Sequence, residues 1–288
     1  MVTASGVALE PLTADALEEA FAVYAATWPR PLGAGAAERF ATLIGHLRAT
    51  DAPLAWIARR EREPIAFAVA HRRDELWMLS ALFVRPEEQV AGLGRALLRA
   101  TLPPDDSVRG LIPSSGDPRA SRLYATSGFD VAPTMRAHGR PDRHALPSGL
   151  AARDATLSDV ELLSAIDRRV RGATRPAELA LLLSDGARAL VLERAGRSGY
   201  VLWQEGPPPL AGLPLTLVAD DDATASALLW QAFADAGGEA VVDGLTATHA
   251  WAFAVAHAAR LSLVPSGPLF TRGFAALPSP WLLSPFFG

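Results

Sequence analysis

The feature that most constrains this chain is an apolar segment that leads into a glycine-bearing loop and then into a helix. Residues 78–84 are apolar nearly throughout, which is typical of a buried central strand. The loop carries Gly92 and Gly94, and the helical pattern begins beside them. Glycines leave backbone N–H groups open to a ligand, and the dipole at a helix start favours negative charge. This layout predicts a phosphate site, to which Arg95 adds a positive charge.

The spacing of the loop excludes two common phosphate motifs. A P-loop needs Gly-Lys-Ser/Thr after its glycines, and this chain contains no lysine. A dinucleotide fingerprint needs a third glycine three residues after Gly94, where Leu97 stands. The pattern Gln89-x-x-Gly92-x-Gly94 after a strand instead resembles motif A of the GNAT superfamily of acyl-CoA-dependent N-acetyltransferases. Taken alone, such a glycine turn also occurs for packing reasons.

A second segment, residues 117–129, is similar to motif B of the same superfamily. Asp117 is a good helix N-cap, Pro118 suits the first helical position, and Gly128 stands where a left-handed C-cap is expected. The family usually has Asn at the position of Asp117. Three- and four-residue spacing puts one set of side chains on a common face, namely Ala120, Leu123, Tyr124 and Ser127.

The resemblance implies how an acyl-CoA would be held. Main-chain groups of the strand would bind the pantetheine arm and polarise the thioester carbonyl, and the loop and the motif B helix would hold the rest. The residues this implies are Leu82, Phe83, Val84, Gln89, Val90, Ala91, Gly92, Leu93, Gly94, Arg95, Asp117 and Ser121.

The resemblance also implies a mechanism in which a neutral amine attacks the thioester directly. Tyr124 would then protonate the departing CoA thiolate. The alternative for this tyrosine is a core aromatic residue with a satisfied hydroxyl. No metal is expected.

The general base and the acceptor site stay open at this level. Some family members carry a glutamate at the position that Met78 occupies here. Three groups near the start of that strand are alternatives, His71, Asp74 and Glu75, and a water relay is another. Trp28 and Trp77 are candidates for lining the acceptor path, and packing is the alternative role of each.

The second half of the chain reads as a diverged copy of the first. Strand and helix patterns recur in the same order, but the loop at residues 219–226 is three residues shorter, lacks glycine and carries Asp220, Asp221 and Asp222. Carboxylates there would repel phosphates. We therefore expect an α/β (α+β) fold of tandem GNAT-like mixed twisted sheets flanked by helices. The expected catalytic acyl-CoA-binding domain is 1–145, and a degenerate GNAT-like domain is 146–288. An unrelated α/β domain is the alternative for the second half.

Composition narrows the function classes. The chain has no cysteine and its six histidines show no metal-ligand spacing, so we expect no metal. The net charge of −4 argues against a nucleic-acid partner. Apolar runs are too short for a membrane span and no signal peptide is evident, so we expect a cytoplasmic protein.

The sequence thus predicts an acetyl-CoA-dependent N-acetyltransferase that acts on a primary amine of a small molecule or peptide, as a monomer or homodimer. The alternative from another class is a non-catalytic acyl-CoA-binding sensor or partner-interaction module.

Overall fold

The structure is a computed structural model that describes residues 6–29, 31–89, 92–103, 108–149, 151–204, 213–235 and 238–288. The chain divides into two compact units. The first comprises residues 1–72 and 77–112, and the second comprises residues 73–76 and 113–288.

The first unit is built on strands in the spatial order β1-β2-β3-β4-β5. Strands β2 and β3 form a hairpin whose two turn residues, Glu61 and Arg62, both have positive φ, as a tight hairpin turn requires. The elements are β1 (Val7–Pro11), α1 (Leu17–Ala26), α2 (Ala36–Thr50), β2 (Ala55–Arg60), β3 (Glu63–Arg73), β4 (Leu76–Val84), α3 (Leu93–Thr101) and β5 (Arg109–Pro113).

The two faces of this sheet are covered by different elements. On one face Leu93 and Leu97 of α3 pack into a core with Val7 and Leu9 of β1. On the other face an aromatic cluster joins α1 and α2 to β3 and β4, through Phe21, Tyr24, Phe40, Phe67 and Phe83. Strand β4 therefore separates an aliphatic side from an aromatic side.

The second unit contains the motif B helix and the later elements. They are α4 (Pro118–Ala125), β6 (Asp130–Gly139), β7 (Arg153–Asp154), α5 (Val160–Arg171), α6 (Pro176–Ser184), β8 (Arg188–Arg194), β9 (Arg197–Gln204), β10 (Leu213–Ala219), α7 (Asp222–Asp235), β11 (Ala240–Leu245), α8 (Ala250–Ala258), β12 (Ser262–Arg272) and β13 (Trp281–Leu282).

Strand order in the second unit joins residues that are far apart in sequence. Strand β6 lies between β12 and β11 and is antiparallel to both. A further set of strands has the order β13-β10-β9-β8-β7. The domain boundary expected near residue 145 is based on the similar sequence patterns of the two halves. The compact units divide the chain earlier, because β6 makes its strand pairs with late elements.

Among the described residues, no helix is both long and apolar enough to cross a bilayer.

Candidate active site

Helix α3 begins at the predicted phosphate loop (residues 85–95) with an open N-terminus. Gly92 is its N-cap residue, with φ 103°, a value that L side chains rarely adopt. Its carbonyl accepts the first helical hydrogen bond, from Ala96 N at 2.9 Å. Among the described residues no side chain caps this helix, and its first turn carries no acidic residue. The first N–H groups of a helix have no intrahelical partner, so they are the natural donors to an anion here.

Other loop residues contribute in different ways. The exposed Gln89 donates a hydrogen bond from Nε2 to the Val84 carbonyl at 3.2 Å, which ties the loop to the end of β4. The side chain of Leu93 is buried in the aliphatic core, so only its main chain is available to a ligand. Arg95 is half-buried. The predicted residues Val90 and Ala91 lie outside the described residues.

Strand β4 changes face within its length. Ser80 Oγ lies 2.9 Å from His71 Nδ1, and Phe83 stacks on Phe67 with ring centroids 5.6 Å apart. His71 and Phe67 are four residues apart on β3, so they share one face. Ser80 and Phe83 are three residues apart, which regular alternation would put on opposite faces. Strand β4 therefore contains a one-residue irregularity between Ser80 and Phe83.

The irregularity lies where the sequence predicts main-chain contacts to the pantetheine arm. An extra residue in a strand loses its ladder partner, and such bulges re-aim the residues that follow. After it, Leu82 and Val84 pack toward the aliphatic core while Phe83 points to the aromatic cluster. The side chains of these three predicted residues are thus engaged in packing, and their main-chain contacts to a ligand stay a prediction.

The two tryptophans predicted for the acceptor path have different environments. Trp28 is 49% exposed and lies edge-on to Tyr24, whose ring in turn lies edge-on to Phe83 at 4.9 Å. Trp77 is fully buried, and its Nε1 donates to the Thr101 carbonyl at 2.8 Å. This burial indicates a packing role for Trp77, and the acceptor-path role of Trp28 stays a prediction.

In the second unit, the motif B helix has the predicted caps. Asp117 accepts from Arg119 N at 2.8 Å, and Gly128 has φ 84°. The hydrogen bond from the Arg119 side chain lowers the pKa of Asp117, so the carboxylate stays charged. Ser121 is half-buried on the same helix and donates its N–H to the Asp117 carbonyl.

Tyr124 is held with its ring enclosed. The residue is 5% exposed, and its ring lies edge-on to Phe270 of β12 with centroids 5.3 Å apart. Within the described part of the chain its hydroxyl makes no hydrogen bond. Burial, and secondly the charge of Asp117, raise the pKa of Tyr124 above its usual value. The phenol is therefore protonated throughout the neutral range, which suits a proton donor.

The corresponding loop of the second half has its helix start occupied. Asp221 Oδ1 accepts from Thr224 N at 2.8 Å and so caps α7. Asp220 accepts hydrogen bonds from the Arg169 guanidinium and from Ser198 N, the latter at 2.8 Å. Burial opposes ionisation of Asp220, but the bonds from Arg169 and Ser198 outweigh it and lower the pKa of that carboxyl. The carboxylates of Asp220 and Asp221 thus occupy the start of α7 and give it negative charge.

The edge of β10 beside that loop is also occupied. Strand β13 pairs with it at Leu217 and Val218, and Ala219 donates its N–H to the Pro280 carbonyl at 3.1 Å. These positions end β10 just before its loop, as Leu82–Val84 end β4 before the phosphate loop. Strand β13 and Pro280 therefore already form hydrogen bonds with the main chain at the end of β10.

The candidates for a general base also have defined environments. Asp74 lies in the turn between β3 and β4 and accepts from Thr174 N at 2.9 Å, and Glu75 is exposed beside it. His71 is buried and adjoins Ser80. Sequence reasoning missed Ser80, although a lone hydroxyl in the apolar run of β4 was a signal. Within the described ranges no three His, Asp or Glu side chains are grouped to hold a metal ion.

Comparison with known proteins agrees with this geometry. Residues 17–129 match the acetyltransferase (GNAT) family. No curated protein matches the sequence. The fold is similar to that of a Pyrococcus horikoshii protein assigned to the acetyltransferases, with TM-score 0.77 and 17% identity over 100% of this chain and 98% of that one.

Two further structures resemble the chain across both halves. A tandem GNAT protein from the clavulanic acid biosynthesis pathway has TM-score 0.56 and 15% identity over 92% of this chain and 98% of that one. A GCN5-related N-acetyltransferase from Kribbella flavida has TM-score 0.62 and 17% identity over 92% and 71% of the two chains. These likenesses confirm the expected fold class of tandem GNAT-like sheets flanked by helices.

Proposed function

We propose that this protein transfers the acetyl group of acetyl-CoA to a primary amine, because residues 17–129 match the acetyltransferase (GNAT) family. The observation that carries the proposal is the open N-terminus of α3, where Gly92 leaves the helix start without a side-chain cap. The matched helix start of the second half, at α7, is capped by a carboxylate. The loops before α3 and α7 follow similar strand and helix patterns. They differ because the start of α3 leaves room and favourable charge for an anion, whereas the start of α7 does not.

The residues of the first loop suit the phosphates and arm of acetyl-CoA. First-turn N–H groups of α3, Leu93 to Arg95, would bind the pyrophosphate, with the guanidinium of Arg95 and the amide of Gln89 nearby in the chain. The main chain of Leu82–Val84, next to the β4 irregularity, would bind the pantetheine arm. Asp117 and Ser121 of α4 would contact the arm from the motif B helix.

Acetyl-CoA supplies an activated acyl carbon when it is bound. The chain's own residues would orient that carbon, exclude water and manage protons. Main-chain N–H groups of β4 would stabilise negative charge on the carbonyl oxygen. Tyr124 would hold its phenolic proton until the sulfur departs and then release it there. Its raised pKa keeps that proton in place beforehand.

We propose that the second half binds no acyl-CoA. Its helix start is capped by Asp221, its loop carries the charge of Asp220, and the edge of β10 is paired with β13. The second half would instead provide strands β11 and β12, which pair with β6. We also place the reaction in the cytoplasm, on a small amine, in a chain that acts as a monomer or homodimer.

The proposal is tested by mixing the purified protein with acetyl-CoA and a panel of small primary amines and following thiol release. We expect amine-dependent thiol release and an acetylated product in mass spectra, with none from a Tyr124→Phe, Gly94→Asp double variant. Tight acetyl-CoA binding without turnover on any amine or peptide would favour the alternative, a non-catalytic acyl-CoA-binding module. No acetyl-CoA binding at all would overturn both.

A further inference from the structure

The proposed reaction needs a proton acceptor for the amine. An alkyl amine is an ammonium ion at neutral pH, since its pKa is near that of lysine, about 10.4. It must lose a proton before its lone pair can attack a carbonyl. Tyr124, a protonated phenol, cannot accept that proton.

A hydroxyl with an imidazole behind it lies on the aromatic face of β4. Ser80 is half-buried, whereas residues 76–79 and 81 on either side are buried, so Ser80 is the point at which this stretch is accessible. His71 is 2% exposed, and its Nδ1 lies 2.9 Å from Ser80 Oγ. With the imidazole proton on Nε2, Ser80 donates to Nδ1, and a proton taken up by the hydroxyl passes on to the ring.

The position of this pair matches the proposed acyl site. Ser80 directly precedes the irregularity of β4 and lies on the same face as Phe83. That face is covered by α1 and α2, which contribute Tyr24 and Phe40 to the aromatic cluster. In the proposed reaction, an amine that approached the acyl carbon from this side would meet the Ser80 hydroxyl.

Other titratable groups around the pair are engaged elsewhere. Asp51, at the end of α2, accepts from Arg72 N at 3.0 Å and from Thr50 Oγ1. Tyr24 of α1 has its pKa raised by burial. Asp74 accepts a hydrogen bond from Thr174 N in the turn, and the position at which some members of the resembled family carry a glutamate is the apolar Met78 here.

We propose that Ser80 and His71 form a proton relay that deprotonates the acceptor amine, an inference that rests on the proposed acetyl transfer. One proton passes from the ammonium nitrogen to Ser80 Oγ as the Ser80 proton passes to His71 Nδ1. The C–N bond forms and the C–S bond breaks. The second nitrogen proton ends on the sulfur by way of Tyr124. The imidazolium returns its proton to solvent along the same path after the product leaves.

The test compares wild type with His71→Gln, Ser80→Ala and the double variant, using an alkyl amine. At pH 7 we expect each variant to lose about 10²- to 10⁴-fold in kcat/KM, the range for general-base catalysis, with the double variant no worse than a single one. Acetyl-CoA affinity should be unchanged. The exposed His257→Gln is the matched control and should keep full activity.

The pH dependence separates a relay from a structural role. As pH rises toward the pKa of the amine, more of the amine is neutral in solution and needs no base. The loss in kcat/KM of both variants relative to wild type should therefore shrink. It should also shrink for an aromatic amine that is already neutral at pH 7. A deficit that is the same at every pH, or no deficit, would overturn the relay. If His71→Gln does not fold, Ser80→Ala alone decides. A wild type that acetylates no amine would instead refute the proposed function.

Discussion

Gly92 and Gly94 differ in what a side chain would do to the helix that they precede. Gly92 has φ 103°, so any L residue there adds backbone strain of about 1–3 kcal/mol. Gly94 lies in the first turn of α3, where an acidic residue favours the helix by about 0.3–1 kcal/mol. A carboxylate at residue 94 therefore tests the anion site without a penalty to folding.

We expect Gly94→Asp to fold as stably as wild type or slightly more so, and to weaken acetyl-CoA binding by at least about fivefold, because one charge near a phosphate costs about 1 kcal/mol or more. Calorimetry with acetyl-CoA and urea unfolding measure the two effects. The matched control is Gly94→Asn, which is similar in size and uncharged and should bind better than the aspartate variant. Wild-type affinity in Gly94→Asp would place the phosphates elsewhere.

Tyr124 can be probed without disturbing its packing. Tyr124→Phe keeps the edge-on contact with Phe270 and removes the hydroxyl. We expect turnover to fall by about 10- to 1,000-fold while acetyl-CoA affinity holds, because only the proton is lost. Steady-state kinetics and calorimetry on the same preparation measure both. Full turnover in this variant would mean that the thiolate departs without this acid.

At the scale of elements, one buried histidine joins three segments of the second unit. His249, before α8, accepts from Thr246 N through Nδ1 at 2.8 Å and donates from Nε2 to the carbonyl of Trp281 in β13 at 2.8 Å. Burial lowers the pKa of His249, although its backbone hydrogen bonds oppose the shift. The folded state therefore resists protonation that the unfolded chain accepts near pH 6.5.

This linkage makes stability depend on pH in one direction. The stabilisation is complete above the unfolded pKa and is lost as pH falls below about 6.5, at no more than about 1.4 kcal/mol per pH unit for one proton. We expect urea unfolding between pH 7.5 and 5.5 to show this loss in wild type and a smaller loss in His249→Gln. The exposed His257→Gln should keep the wild-type slope. An unchanged slope in His249→Gln would refute the assignment.

At the scale of the whole molecule, strand pairing crosses the boundary between the two sequence halves. Strand β6 has β11 on one side and β12 on the other, and Tyr124 packs on a residue of β12. A fragment of residues 1–145 loses both partners of β6 and exposes two strand edges.

We expect that fragment to be insoluble, aggregated or inactive, whereas the full chain is soluble and active. Size-exclusion chromatography and the thiol-release assay compare the two, and co-expression with residues 146–288 should restore some soluble protein. A soluble, monomeric and fully active fragment would contradict this dependence.

The degenerate second loop sets the stoichiometry of the whole chain. Because α7 is capped by Asp221 and β10 is paired with β13, we expect one acetyl-CoA per chain. Calorimetric titration of wild type should give a single site, and Gly94→Asp should weaken that same site. Two equivalent sites in wild type, or a site that keeps wild-type affinity in Gly94→Asp, would contradict one site in the first loop.

The sequence by itself determined the features that depend on neighbouring residues. A helix cap needs a side chain within three residues of its N–H, so Asp117 was predictable as the cap of α4 and the carboxylates of the second loop as unfavourable to phosphate. The strand, glycine loop and helix around Gly92 were predictable for the same reason. Backbone conformation there is set locally by glycine.

Only the tertiary structure decided the pairings between distant segments. No local pattern indicates that β13 pairs with β10, that β6 lies between β11 and β12, or that His71 faces Ser80. Strand partners and burial depend on which apolar faces meet after the chain folds, as for Trp77, whose sequence context fits a substrate wall as well as a core. The irregularity in β4 is such a feature too, because it is visible only through the partners of Ser80 and Phe83.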